Sequence, residues 1–135
     1  FYKNNCNVKI KIIFTFNNNT KSHNIAMVNC YGKNNKINLD IKGVSRDYSD
    51  VFFEGGSYIS NDAEGTDLNI SERGIIFDKS RIEFFPNLKI ENNNVKAGHS
   101  AKIHRFSDDD VFYFMSRGLN NSETKNLLLD GFLED

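Results

Sequence analysis

Apolar and polar residues alternate along much of the first two-thirds of this chain, and the period changes near its end. Residues 8–16, VKIKIIFTF, alternate at first and then become continuously apolar with β-branched and aromatic side chains, which predicts a strand. Residues 17–21 are its turn, and 25–31 form a second strand closed by Gly32. Ile37, Leu39 and Ile41 alternate with Asn38, Asp40 and Lys42, giving a third strand with one wet face. Beyond it the apolar runs shorten to 50–53, 57–59, 68–70, 74–77, 82–85 and 88–90. Each reads as a strand of three or four residues, with Gly55-Gly56 and 61–67 as breaks and Pro86 at a corner where no ladder donor is required. Short strands with polar corners suggest a sandwich, a barrel or a β-solenoid, and no clean repeat decides among them.

The stretch 95–118 carries the change of period. Val95, Ala97 and Ile103 mark a short strand, and Gly98-His99-Ser100 reads as a turn whose small residues leave the imidazole uncovered. Ser107 is a helix N-cap, followed by Asp108-Asp109-Asp110 at the positive end of the dipole. Val111, Phe112, Phe114 and Met115 form the apolar side, and Gly118 sits at C′. Asn120 or Ser122 starts a second helix with Leu128 and Phe132 one turn apart. That leucine-rich side is expected to pack on the chain's own core or on a partner.

Composition narrows the functional classes. The chain has 135 residues, enough for one core, and a net charge of −1 from 17 basic and 18 acidic residues. Such a balance gives no field for nucleic acid, and no apolar run approaches the ~20 residues that span a bilayer. The chain opens at Phe1 inside a partly apolar stretch, without Met or a charged lead, and reads as part of a longer protein. Cys6 and Cys30 are expected as reduced thiols, with a single disulfide as the alternative. Asparagine runs such as 17–19, 34–35 and 92–94 read as AT-rich coding bias pushed into turns. No phosphate loop, nucleophile elbow or HExxH motif is present, and the three aspartates lack the glycine and distal glutamate of a calcium loop. Among the histidines, His99 is the best candidate ligand, while His104 reads as solvated and His23 has no partner in sequence.

Two motifs in order, V-K-A-G-H-S-A-x-I over 95–103 and D-x-x-x-F-Y-x-M-S-R-G-L over 108–119, followed by L-L-x-x-G-F at 127–132, resemble the carboxy-terminal end of the SufB/SufD scaffold family of iron–sulfur cluster assembly. The match is dense from about Asp78 to Phe132 and thin before Phe52. Its local form resembles SufD more than SufB, which has His-Glu-Ala and Gln-Arg-Gly at these places. The resemblance implies a mainly β chain, with the carboxy-terminal rungs of a right-handed parallel β-helix over 1–105 and a helical tail over 106–135. It implies a scaffold with no catalysis of its own, partnered by a SufB-like subunit and a SufC-like ATPase, with a homodimer in their absence.

On that reading His99 lies at the SufB contact and shares a nascent cluster or iron with a partner's cysteine. No cofactor is then held tightly by this chain alone. The tail residues Phe112, Tyr113, Met115, Ser116, Arg117, Gly118, Leu128 and Phe132 would dock the ATPase. One departure matters: many SufD sequences carry Cys two residues before the histidine, where this chain has Ala97. The compartment implied is a plastid, apicoplast-like, or a bacterial cytoplasm. The rival readings are a carbohydrate-active solenoid enzyme, which needs two carboxylates converging on one groove, and a generic β-rich binding module.

Overall fold

The computed structural model describes residues 1–134. Asp135, the last residue of the predicted tail, lies outside them. Seven strands of ten residues each follow one another: β1 (Asn7–Phe16), β2 (Lys21–Cys30), β3 (Lys36–Ser45), β4 (Asp50–Ile59), β5 (Asp67–Ile76), β6 (Arg81–Ile90) and β7 (Lys96–Arg105). They stack in two parallel sheets, β1-β3-β5-β7 and β2-β4-β6, so the chain passes from one sheet to the other at every corner. The result is a parallel β-solenoid of about three turns. Asn7 pairs with Lys36, Lys36 with Asp67, and Asp67 with Lys96.

Three sequence expectations change here. The short strands around Gly55-Gly56, Ser71-Glu72-Arg73 and Pro86 are single ten-residue strands, because ladder bonds to the rungs above and below carry polar and glycine positions through. Pro86 is mid-strand rather than at a corner, tolerated because β6 is an edge strand with one side unpaired. Gly98-His99-Ser100 is the interior of β7 rather than a turn.

The repeat invisible in the strands is written in their corners. At 17–20, 46–49 and 77–80 the second residue (Asn18, Asp47, Asp78) has φ of 60°, 60° and 55°, the left-handed region that Asn and Asp tolerate. The fourth residue closes each corner: the hydroxyls of Thr20, Ser49 and Ser80 donate to the carbonyls of Asn17, Arg46 and Phe77 at 2.7–2.8 Å. The corners also bind one another, since Asn18 N–H donates to Asp47 and Asp47 N–H to Asp78. Burial pushes the Asp78 carboxyl up, but the bonds from Lys125 and the Asp47 N–H outweigh it and leave its pKa lowered.

Inward residues of both sheets fill the solenoid, with Val28, Cys30, Ile37, Leu39, Ile41, Phe53, Ile59, Leu68 and Ile70 in one cluster. Both cysteines are unpaired by disulfide, Cys30 in the core and Cys6 half-buried. Phe14 stacks on Phe53 at 5.2 Å in the space left by Gly43, where a Cβ would overlap the Phe14 ring.

Two helices follow, α1 (Asp108–Met115) and α2 (Asn121–Glu134). Ser107 and Asp110 form a capping box on α1, and Asn120 with Glu123 does the same for α2. Substituting Ser107→Ala is expected to cost about 1 kcal/mol of tail stability and to speed hydrogen exchange in α1 without changing β-sheet protection. α2 lies on the outer face of the four-stranded sheet, where Leu129, Leu128, Phe132 and Leu133 cover Val44, Ile75 and Phe77. Its carboxy-terminal carbonyls are capped from the sheet. Lys42 Nζ donates to Phe132 O at 3.0 Å and Leu133 O at 3.5 Å, and Lys11 Nζ to Leu133 O at 3.3 Å. Among the described residues no helix is long and apolar enough to cross a membrane.

Candidate functional site

The last rung of the solenoid is built from β6 and β7, each paired on one side only. Among the described residues no further rung lies over the inward positions there, and Leu88, Ile90 and Ile103 are exposed along the rim. Such an uncapped end invites a further β layer or a partner.

His99 sits in the middle of β7, in register with the inward residue Ile70. The expectation of an uncovered imidazole is corrected: the side chain is only 10% exposed, because β5 carries it into the sheet with its ring turned inward. Its Nε2 stands 2.8 Å from Oε2 of Glu72, whose side chain is completely buried. The ring N–H and the carboxylate are not aligned for a hydrogen bond, and neither Glu72 oxygen has a hydrogen-bond partner. Burial pushes the Glu72 carboxyl up to about 7 and the His99 imidazole down from its usual value, so both groups resist charge.

Glu72 was not singled out by sequence reasoning. Its signal is positional: in β5 the inward residues are Leu68, Ile70, Glu72, Gly74 and Ile76, an acid in an otherwise apolar or glycine row. That row becomes readable only once 67–76 is taken as one strand. Opposite it, a Cβ on Gly55 would overlap Glu72 Oε1, so the glycine makes the room for the carboxylate.

The other candidates lie elsewhere. On α1, Phe112 is 70% exposed, Tyr113 and Met115 are exposed, and Arg117 stacks its guanidinium over Tyr113 at 4.8 Å. The apolar side expected for α1 is thus mostly outward, with Val111 its buried residue. Ser116 caps the helix, donating to Tyr113 O at 2.7 Å, and Gly118 takes φ of 98° just beyond. Leu128 and Phe132 are half-buried against the chain's own sheet, while Leu127 is exposed. Asp40 is paired with Arg73 at 3.3 Å, and His23 meets Phe52 edge-on. His104 packs edge-on against Phe106 and borders a cavity of about 260 Å³, shared with Arg73, Lys102 and Phe132, on the outer face away from His99. No group of three or more His, Cys, Asp or Glu converges on one point among the described residues.

A stacked parallel solenoid with a helical flank, carrying a histidine–carboxylate pair near its last rung, defines the class of parallel β-helical proteins. The chain belongs to the SufBD family: the model of the SUF system FeS cluster assembly SufBD core domain matches residues 1–132. The likeness therefore extends across the amino-terminal strands, where the motifs alone were thin. An iron–sulfur cluster assembly SufBD family protein of Synechocystis sp. is 33% identical over 109 residues, covering 80% of this chain and 23% of that protein. The iron–sulfur cluster assembly protein SufB of Bacillus subtilis is 33% identical over 94 residues, 69% of this chain and 20% of that protein. A chloroplastic SufBD family protein of Arabidopsis thaliana is 28% identical over 105 residues, 77% of this chain and 19% of that protein. The chain spans about a fifth of the length of these curated relatives.

Proposed function

We propose that this chain is the SufD-like part of a SUF scaffold, pairing its open solenoid end with a SufB-like subunit and docking a SufC-like ATPase through its tail. The observation that carries the reading is the position of His99, in the last strand of an uncapped rung with apolar residues at its rim. A single imidazole cannot hold a cluster, so the nascent cluster or iron, the cargo of the scaffold, is shared with donors from the partner. Ala97, in place of a cysteine, leaves His99 without a thiolate beside it on β7.

The outward Phe112, Tyr113, Met115 and Leu127, with Arg117 and the Ser116-Gly118 helix end, supply the apolar and cationic surface that the ATPase would grip. Leu128 and Phe132 would act from beneath, since they hold α2 to the sheet. Movement of the ATPase would then reach the four-stranded sheet through α2. Relatives from bacteria and a chloroplast support a plastid or bacterial-cytoplasm setting.

Reconstitution with SufB-like and SufC-like partners tests this. The parent is expected to co-purify with the ATPase and support cluster formation, and His99→Ala to keep the complex while losing most of the cluster signal. Unchanged cluster formation in His99→Ala, or no capture of the ATPase, would overturn the assignment.

A further inference from the structure

We propose that Glu72 and His99 together form a two-donor site for a first-row divalent transition metal ion, so that this chain itself supplies both a nitrogen and a carboxylate to the cargo. The inference rests on reading the open solenoid end as the assembly contact, and adds to it a second donor from the same chain.

Four observations converge on it. Glu72 is fully buried, and both of its oxygens lack a hydrogen-bond partner. Its neighbours in the ladder are Ile41 and Ala101, and the residue opposite is Gly55, so these positions offer the carboxylate no cation and no donor. Buried carboxylates normally have several hydrogen bonds or an ion, and one with none calls for an explanation. His99 Nε2 stands 2.8 Å from Glu72 Oε2 and out of line for a hydrogen bond, as two donors facing a common third body would be.

The spacing suits a metal. Two donors each about 2.1 Å from one ion and at right angles to each other stand about 3.0 Å apart. One imidazole and one carboxylate match borderline ions such as iron(II), cobalt(II) or zinc(II) better than calcium, which takes oxygen donors, or copper(I), which takes sulfur. Two donors leave the rest of the coordination to water or a partner's side chain, reached past His99, the more exposed of the two, on the last strand of its sheet.

Gly55 is part of the same device. Any larger residue there would displace the carboxylate from the position in which it faces His99.

Cobalt(II) is the probe, because its visible absorption reports nitrogen and oxygen ligation without cluster chemistry. The full natural protein, without partners and with magnesium present in excess, is titrated anaerobically alongside Glu72→Gln and His99→Ala, with folding of each checked by circular dichroism. The parent is expected to take one equivalent, and each variant to bind at least about 10-fold more weakly. Ser100→Ala, on the outward face of β7, should bind as the parent does. No cobalt binding by the folded parent, or equal binding by folded Glu72→Gln, overturns the site.

These results are separable from the scaffold reading. If His99→Ala abolishes cluster formation in the complex while Glu72→Gln binds cobalt normally, the two-donor site falls and the scaffold stands. If both variants lose cobalt while cluster formation is unchanged in His99→Ala, the site stands and the scaffold role falls.

Discussion

Replacing Lys42 with alanine is expected to loosen the carboxy-terminal end of α2 and to cost about 3 kcal/mol of stability. Lys42 is an outward residue of β3 made completely inaccessible by the helix above it. Its ammonium donates to the carbonyls of Phe132 and Leu133, at the negative end of the helix dipole. A hydrogen bond from a charged donor contributes about 1.5–3 kcal/mol, the ammonium also lies 5.5 Å from the centre of the Phe132 ring, and loss of the stem removes the packing of a fully buried side chain. Lys42→Met separates the two, since it keeps the stem and removes the charge. If the ammonium dominates, both variants lose similar stability in urea unfolding, and α2 amides exchange faster while those of β3 do not. Equal unfolding midpoints for Lys42→Ala and the parent would show that α2 is held by its leucines alone.

Much of the solenoid was legible where inward residues are large and apolar. Strands β1 and β3 declare themselves by alternation, because Val8, Ile10, Ile37, Leu39 and Ile41 sit at every second position. Strands β4, β5 and β6 do not, because the same inward row holds Gly55, Glu72 and Pro86, residues that end a strand when read without neighbours. A solenoid supplies those neighbours from about 30 residues away, and one-dimensional pattern reading has no access to them. The corner repeat, an Asn or Asp followed two residues later by Ser or Thr, was present in the sequence but submerged in its general excess of asparagine.

The site was half legible for the same reason. His99 was marked by its motif, whereas Glu72 is paired with it only through the register of β5 on β7. Pattern alone expects a helix to bury Phe112 and Met115, and it was the family resemblance that gave them a docking role; in the fold both are exposed. α1 shows them to solvent while α2 takes the sheet.

The pH dependence of stability follows from Glu72 and gives the largest test of its burial. In the unfolded chain a glutamate titrates near 4.5, and in the fold Glu72 titrates at about 7. Between those values the folded state holds a proton that the unfolded state has lost. Stability from this group is therefore full below 4.5, declines as pH rises to about 7, and stays low above it. At about 1.4 kcal/mol per pH unit the difference is about 3 kcal/mol. His99 acts in the opposite sense: its pKa is lowered by burial from 6.5, so its contribution is lost as pH falls below 6.5.

Comparison of Glu72→Gln with the parent isolates the carboxylate, because glutamine keeps the shape and cannot ionise. Measured in metal-free buffer, the stability gained by Glu72→Gln is expected to be about 3 kcal/mol larger at pH 8 than at pH 4. A constant difference across that range would mean that Glu72 ionises freely in the fold. Cobalt(II) at 100 times its dissociation constant should then restore about 2.7 kcal/mol to the parent at pH 8 and little to the variant. A carboxylate that destabilises the empty fold and is relieved by a cation has a reason to be buried beside His99 that packing alone does not give it.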